Sequence, residues 1–495
     1  MRTPAAGGWR LQPRGSSSSK LTRRIINNIR IALLCAFVTL LVLRGTVGVN
    51  RRLVYIAASD RAPSSAKVVD DIERILREIR AEHDDAASAS ASRSSSATRY
   101  YDRGSAWSTS NYSLGPRVTR WNAKRRRWLH LNPGFPSRDA RGNPRVLLVT
   151  ASPPGPCDSP AADHFLLRAT KNKIDYCRLR GIELVHSTAR LDGELTGGWA
   201  KLPLLRRLML AHPEVEWLWW MDGDALLTDM GFELPLARYE GYHLVVHGNS
   251  YLFFQLRSWV AVSTGSFLLR NCQWSLELLD AWAVMGPKGR ARDEAGKLLT
   301  ATLHGRPAFE ADDQSALIHL LLTEKERWME KVYIENEYYL HGHWAGLVDK
   351  YEQVMEKHHP GYGDDRWPFV THFVGCKPCS AGRSRSKGGG NSSDEYPLER
   401  CVRGMERAFN FADNQVLRLY GFRHESLASS DVRRVTNRSA NPLEAKEEAL
   451  SFLKKPKDPV VKSHDVGKSR KPKGKGKRDS LLERILKRMG WRPEF

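Results

Sequence analysis

Asp222 and Asp224 are the first candidates for chemistry in this sequence, because only Gly223 separates them and an apolar, tryptophan-rich run at 217–221 precedes them. Such a run is typical of a strand buried on both faces, as in a parallel sheet. Since burying an unpaired carboxylate is costly, we expect both acids at the exposed end of that strand. There they would offer Mg²⁺ or Mn²⁺ hard oxygen ligands and leave positions open for a diphosphate. The alternative is a surface turn, which favours the same residue types.

The segments around this strand alternate between strand-like and helix-like patterns. Strands are predicted over 146–150 and 182–185, and helices over 164–180 and 201–211. This alternation predicts an α/β sandwich with a mostly parallel sheet. Ala151 would then begin the loop after the first strand, where a nucleotide can approach backbone amides and the start of a helix.

Two basic ends account for most of the formal charge of +23 that these 495 residues carry. Residues 1–30 hold seven basic and no acidic side chains, and residues 454–495 hold fifteen basic and five acidic ones. The rest of the chain is nearly balanced, so the high pI does not require a nucleic-acid groove, and no nucleic-acid partner is predicted. The length suits one large α/β domain with extensions, or two or three average domains.

An uninterrupted apolar run at 31–43 predicts a membrane segment, which extends to 49 if the Arg44 side chain reaches the interface. A signal-peptide core is the alternative, but no convincing small-x-small cleavage site follows. The basic residues before the run place residues 1–30 in the cytosol and the chain after residue 50 in the lumen. The sequence therefore predicts a type II signal anchor over 31–49.

The lumenal part is predicted to contain a stem at 50–144, a catalytic domain at 145–445 and a basic, disordered tail at 446–495. An apolar stripe within 70–83 of the stem predicts a short amphipathic helix, which either pairs two chains or is solvated. The Ser/Ala-rich stretch at 86–97 is typical of a linker.

Five segments of the sequence form recognisable motifs: 219–225, 264–275, 310–316, 371–379 and 409–416. In this order they resemble plant glycosyltransferase family 34, and most closely its xyloglucan 6-xylosyltransferases. The resemblance extends over about residues 145–445. The resemblance implies a GT-A fold and transfer of α-xylose from UDP-xylose to O6 of glucose in a β-1,4-glucan, with Mn²⁺ as cofactor.

The resemblance also implies roles for single residues. Asp222 and Asp224 match the family's metal-binding acids, and His372 matches its third protein ligand. Lys377 matches a diphosphate contact, where an ammonium group can offset the charge of the leaving UDP. Gly375 would let the backbone approach the phosphates closely.

Asp312, Asp313 and Gln314 match the residues that face the donor sugar and the acceptor. Because the transfer retains the anomeric configuration, it proceeds through a carboxylate nucleophile or by same-face attack through an ion pair. By analogy with other retaining GT-A enzymes we favour the same-face route, with Gln314 near the anomeric carbon. Asp near a helix N-terminus also has a purely structural interpretation, since it stabilises the first turn.

Three positions depart from the family pattern: Gly223 stands for the usual Ser, Ala151 for a Gly and Ser263 for an Asn. Two alternative functions therefore remain open. One is a galactosyltransferase that uses UDP-galactose and a β-1,4-mannan, and the other is a non-catalytic scaffold of a polysaccharide-synthesis complex. In each case we expect a single-pass protein of the Golgi membrane that forms a homodimer or a heterodimer with related glycosyltransferases.

Six cysteines fall in the predicted lumenal part, where the oxidising environment permits up to three disulfides. The sequence leaves their connectivity open. They are Cys157, Cys177, Cys272, Cys376, Cys379 and Cys401. Acceptor motifs for N-glycosylation occur at Asn111, Asn391 and Asn437.

Overall fold

The computed structural model describes residues 65–91, 112–157, 159–376, 379, 396–435 and 451–453. The predicted cytosolic tail, the signal anchor, the three asparagines of the glycosylation motifs and the basic tail from 454 onward lie outside these residues. Within the described ranges, no helix is both long and apolar enough to cross a membrane.

Eleven strands and eleven α-helices occur in the described ranges. The strands are β1 Val146–Ala151, β2 Glu183–Ser187, β3 Trp217–Met221, β4 Ala225–Leu227, β5 Leu244–Gly248, β6 Val262–Arg270, β7 Val332–Glu335, β8 Gly342–His343, β9 Val370–His372, β10 Phe422–His424 and β11 Val432–Arg434. The helices are α1 Ser65–Ala91, α2 Trp121–Leu131, α3 Pro160–Arg180, α4 Lys201–Ala211, α5 Ser250–Phe254, α6 Gln273–Ala283, α7 Arg290–Thr302, α8 Asp313–Thr323, α9 Lys325–Trp328, α10 Tyr351–Lys357 and α11 Leu398–Leu419.

Six strands form the main sheet in the order β2-β1-β3-β6-β5-β7. β6 runs antiparallel to both of its neighbours, whereas β1 pairs with β2 and β3, and β5 with β7, in parallel. The predicted α/β fold with a mostly parallel sheet is therefore confirmed. A second sheet has the order β4-β9-β8, and β10 pairs with β11.

The main sheet is covered on both faces, as its apolar strands require. All five residues of β3 are buried. Leu218 and Trp220 point into one core cluster together with the helices α4, α6 and α8. Trp217, Trp219 and Met221 point into the other, where Tyr176 of α3 lies edge-on against Trp219 with ring centroids 5.8 Å apart. The alternation of side chains along β3 thus divides its large residues between two cores.

Two helices, α1 and α2, lie within the predicted stem and belong to this packed body. In α2, Trp121 and Trp128 are buried, and Trp121 Nε1 donates to Asn271 Oδ1 at 2.8 Å. In α1, Ile75 and Ile79 are buried in the same core cluster. The apolar stripe of α1 therefore packs on its own chain, which differs from both expected roles, pairing of two chains and solvation. The helix also continues to Ala91, beyond the start of the predicted Ser/Ala linker.

Two disulfides form among the described cysteines. One joins Cys157, in the loop after β1, to Cys379, and the other joins Cys376 to Cys401 of α11. The remaining described cysteines, Cys177 and Cys272, are buried thiols. Because Cys376 and Cys379 each bond to a different cysteine, they attach the loop after β9 to the rest of the structure and do not form a metal or redox pair with each other.

Candidate active site

The two acids lie on a tight turn between β3 and β4, which we call the acid turn (residues 222–224). Its first residue is held to β6, because Asp222 N donates to the carbonyl of Gly265 at 2.8 Å. Gly223 packs against the end of β1, where a Cβ atom on it would lie 2.9 Å from the carbonyl oxygen of Ala151. The structure therefore places Ala151 beside the acid turn, although it shows no side-chain role for it.

His372 is brought to the acid turn by the small sheet. β9 runs antiparallel to β4 with His372 opposite Ala225, the residue that follows Asp224. His372 Nε2 lies 3.0 Å from Asp224 Oδ1 and 3.7 Å from Asp222 Oδ2. The ligand atoms of these three side chains all lie within 4.8 Å of one another. The structure thus brings together the three residues that the sequence analysis selected as metal ligands.

The ligand set fits a divalent cation. Two carboxylates and one imidazole are ligands that Mn²⁺ accepts, and three protein ligands leave positions for other oxygens. The carboxylates remain partly exposed, with 29% of each side chain accessible, whereas His372 is nearly buried. An approaching anionic ligand can therefore reach the acid side of the cluster.

The charges of the cluster are strongly coupled. Burial by itself would lower the pKa of His372, but attraction to Asp224 and the hydrogen bond with it outweigh burial and raise that pKa. The same contact with His372 overcomes burial at Asp224 and lowers the pKa of its carboxyl group. At Asp222 burial prevails and raises the pKa. A cation at this site would replace the imidazolium proton as the partner of the carboxylates.

Lys201 is a site residue that the sequence analysis did not select. It is the first residue of α4, only 2% of its side chain is exposed, and its Nζ donates to the carbonyl of Thr264 at 2.9 Å. Nζ also lies 2.8 Å from Asp313 Oδ2 and 3.5 Å from Asp222 Oδ1. Burial by itself would lower the pKa of Lys201, but Asp222 and Asp313 outweigh it and raise that pKa. The ammonium group therefore stays charged and joins the acid turn to α8.

The three predicted sugar-facing residues have different surroundings at the start of α8. Asp312 caps the helix by accepting from Ser315 N at 2.7 Å, and it forms an ion pair with Arg306. Asp313 accepts from Thr264 Oγ1 at 2.8 Å and pairs with Lys201. Gln314 Nε2 donates to the carbonyl of Trp259 at 3.0 Å.

Of the three, Asp313 is linked to the acid turn, through Lys201. In the part of the chain that the structure describes, no hydrogen bond or ion pair joins Asp312 or Gln314 to Asp222, Asp224 or His372. The structural interpretation of an acid at a helix N-terminus thus holds for Asp312, whose carboxylate is the N-cap.

Gly375 lies in the turn after β9 and has a φ of 83°, in the left-handed region that favours glycine. The next residue, Cys376, is fixed by its disulfide to α11. Lys377, the predicted diphosphate contact, lies outside the described residues.

Two further side chains contact the cluster, one at the backbone of the acid turn and one at His372. Lys173 of α3 is buried, and its Nζ donates to the carbonyl of Ala225 at 2.8 Å and to that of Gly223 at 3.3 Å. Burial lowers the pKa of Lys173 to about 8, against the attraction of Asp224 and Asp222. On the other side, His341 Nε2 lies 2.7 Å from His372 Nδ1. The sequence signals for both residues are weak: Lys173 lies in a Lys-Asn-Lys segment at 171–173, and His341 lies in a His-Gly-His segment at 341–343.

The sequence is similar to those of known proteins along most of its length. A family model described as the galactosyl transferase GMA12/MNN10 family matches residues 142–383. Probable glycosyltransferase 3 of Oryza sativa subsp. japonica is 65% identical over 464 residues, which cover 90% of this chain and 98% of the relative.

Two relatives from Arabidopsis thaliana carry more specific names. Probable xyloglucan 6-xylosyltransferase 3 is 55% identical over 441 residues, 89% of this chain and 90% of the relative. Xyloglucan 6-xylosyltransferase 1 is 58% identical over 337 residues, 68% of this chain and 71% of the relative.

Proposed function

The chain belongs to glycosyltransferase family 34, the galactosyl transferase GMA12/MNN10 family, and from that premise we propose that it transfers α-xylose from UDP-xylose to O6 of glucose in a β-1,4-glucan. Family membership makes the chain a glycosyltransferase, so the family and the enzyme class predicted from the sequence are confirmed. The observation that supports the proposal most strongly is the convergence of Asp222, Asp224 and His372 at the exposed end of β3. The names of the Arabidopsis relatives support the choice of sugar and acceptor.

Asp222, Asp224 and His372 would hold Mn²⁺, and the coordination positions that they leave suit the oxygens of a diphosphate. When bound, the cation supplies positive charge next to the leaving UDP. Lys201 contributes a second, permanent positive charge and keeps Asp222 at a fixed distance from Asp313. The departures at Ala151 and Gly223 leave these contacts intact.

The surroundings of Asp313 support the same-face route for a retaining transfer. Its carboxylate is already engaged by the Lys201 ammonium and the Thr264 hydroxyl. A carboxylate that is paired in this way is a weak nucleophile, because attack would require separating a buried ion pair. Gln314 donates its amide N–H to the backbone of Trp259, which leaves its carboxamide oxygen available to a sugar. Asp313 and Gln314 would then orient the donor and the acceptor.

The proposal has a structural and a cellular part. We assign the mixed sheet with a metal-binding acid turn after its central strand to the GT-A type. We place the catalytic body in the Golgi lumen, behind the signal anchor predicted over 31–49, with a second copy or a related glycosyltransferase as partner.

Sugar transfer by the purified full-length chain in detergent tests the proposal. UDP-xylose and UDP-galactose would each be offered with Mn²⁺ and either cellohexaose or mannohexaose, and mass spectrometry would detect an added pentose or hexose. We expect a pentose on cellohexaose, and its loss both in Asp224→Ala and in the presence of EDTA.

The other outcomes separate the alternatives. A hexose on mannohexaose would identify a galactosyltransferase, in line with the name of the family model. Transfer in no combination by a folded protein that binds neither Mn²⁺ nor UDP would support the scaffold and refute an enzymatic role for the site.

A further inference from the structure

His341 contacts the imidazole of His372 at Nδ1, the ring nitrogen that does not face the acids. Its Nε2 lies 2.7 Å from His372 Nδ1, and the two rings meet edge to face with centroids 4.8 Å apart. His341 directly precedes β8, the strand that pairs in parallel with β9. The contact is therefore fixed by two strand backbones.

The direction of this hydrogen bond follows from the nitrogen of His372 that faces the acids. His372 Nε2 lies 3.0 Å from Asp224 Oδ1, so Nε2 is the nitrogen that would bind a cation at the acid turn. A nitrogen that binds a cation carries no proton, and in a neutral imidazole the other nitrogen then carries it. With a cation bound, His372 Nδ1 would therefore donate to His341 Nε2, 2.7 Å away.

An acceptor at His341 Nε2 stabilises this tautomer. Without a cation, His372 Nε2 donates its proton to Asp224 Oδ1, 3.0 Å away, and Asp222 Oδ2 lies 3.7 Å from the same nitrogen. When a cation replaces that proton, the proton on Nδ1 would stay bonded to His341, and the Nε2 lone pair would become available on the side of the two acids. With the reverse direction the proton would sit on Nε2, between the imidazole and the carboxylates. Metal-binding histidines are generally held in one tautomer by such an outer partner.

The remaining sides of the His372 ring are also confined. Gly265 lies directly beneath it, so close that a Cβ atom there would be 2.3 Å from His372 Cε1. The ring is thus bounded by Gly265, by the acid turn and by His341, and of these groups His341 is the acceptor for its Nδ1 proton. We propose that His341 is a positioning residue that fixes the tautomer and orientation of His372 for cation binding. This inference rests on the metal site of the proposed function.

The chain offers a matched control on the same segment. His343 lies two residues further on, is in register with His372 across β8 and β9, and is itself partly buried. Its Nδ1 is buried without a hydrogen-bond partner, and in the described residues no hydrogen bond joins its ring to His372. A substitution at His343 therefore changes the packing near His372 and leaves the proposed hydrogen bond in place.

The experiment measures Mn²⁺ binding to the full-length chain in detergent, without sugar donor, by the loss of the free Mn²⁺ signal in electron paramagnetic resonance. The variants are His341→Phe, which keeps a ring but removes the acceptor, His341→Gln, whose carboxamide oxygen can accept, and His343→Phe. We expect the dissociation constant to rise by about 10- to 100-fold in His341→Phe. We expect it to stay within about threefold of the parent in His343→Phe and to be largely restored in His341→Gln.

Folding is checked by thermal unfolding in EDTA, and His341→Met replaces His341→Phe if the latter does not fold, because its thioether is only a weak acceptor. Parent-like Mn²⁺ affinity in a folded His341→Phe or His341→Met would overturn the inference and leave the proposed function intact. Equal weakening in His343→Phe would also overturn it, since packing alone would then explain the effect. Absence of Mn²⁺ binding in the parent chain would instead refute the metal site of the proposed function.

Discussion

Replacing Gly265 with alanine should disable the metal site although no metal-binding residue is substituted. No left-handed φ restricts this glycine, so its backbone accepts an alanine. The added Cβ atom would, however, lie 2.3 Å from His372 Cε1 and 2.4 Å from His372 Nδ1, while its distance to Asp222 Oδ2 would be 3.3 Å. Carbon atoms in contact are normally about 3.5–4.0 Å apart, so the imidazole must retreat by more than about 1 Å.

A displacement of that size is large compared with what coordination tolerates. Metal–ligand distances in a working site vary by only about 0.2 Å, so His372 would cease to be a ligand. We expect the affinity for Mn²⁺ to fall by on the order of 100-fold, which corresponds to about 2.8 kcal/mol, and to approach that of His372→Ala. The cost in folding stability should be smaller, about 1–3 kcal/mol, as for other overpacked sites.

The assay is Mn²⁺ titration of the purified full-length chain, with Gly193→Ala as the matched control because no atom lies within 4 Å of a Cβ atom at that position. A double-mutant cycle with His372→Ala isolates the cause. Once the imidazole is removed, the new Cβ atom has room, so Gly265→Ala should have little further effect on affinity. Unchanged affinity in the single variant, or an undiminished effect in the His372→Ala background, would refute this reasoning.

Three further predictions concern stability, measured by chemical denaturation in EDTA. Lys201→Met should lower the free energy of unfolding by about 3–5 kcal/mol, because it leaves the buried Asp313 carboxylate uncompensated. Adding Asp313→Asn should recover part of this loss, and additive destabilisation by the two substitutions would contradict the prediction. Burial lowers the pKa of His247 to about 4, so between pH 6.5 and 4 the unfolded chain binds the extra proton and the parent loses stability as the pH falls. His247→Phe should therefore gain about 2 kcal/mol relative to the parent between pH 6.5 and 5, and a pH-independent difference would count against the neutral histidine. Cys376→Ser removes the disulfide to Cys401, which has a sequence separation of 25, and should lower the free energy of unfolding by about 3 kcal/mol. Cys401→Ser should lower it by a similar amount, and the double variant should be no less stable than either single variant.

The acids could be predicted from the apolar run that precedes them, and His372 from the motif in which it lies. The apolar run of β3 marks a buried strand, and charged residues directly after it must lie at its exposed end. His372 is predictable only through its motif, because a three-residue strand is too short for a hydrophobic pattern to indicate which residues lie beside the histidine at its end. Lys201 has the opposite property. It begins a leucine-rich helix, where a lysine is normally solvated, and its partner Asp313 is far away in the sequence.

The direction of β6 explains why the remainder of the site could not be deduced from pattern. The hydrophobic pattern of an apolar strand does not indicate whether it pairs in parallel or antiparallel. In this structure β6 is antiparallel to β3, with Met221 opposite Ser266. Its first half therefore meets the acid turn, and this brings Thr264 to Lys201 and Gly265 to His372. In an entirely parallel sheet the other end of β6, at Arg270, would lie at that edge. The environment of the metal ligands thus depends on one strand orientation that hydrophobic periodicity does not encode, and His341 depends in the same way on the parallel pairing of β8 with β9.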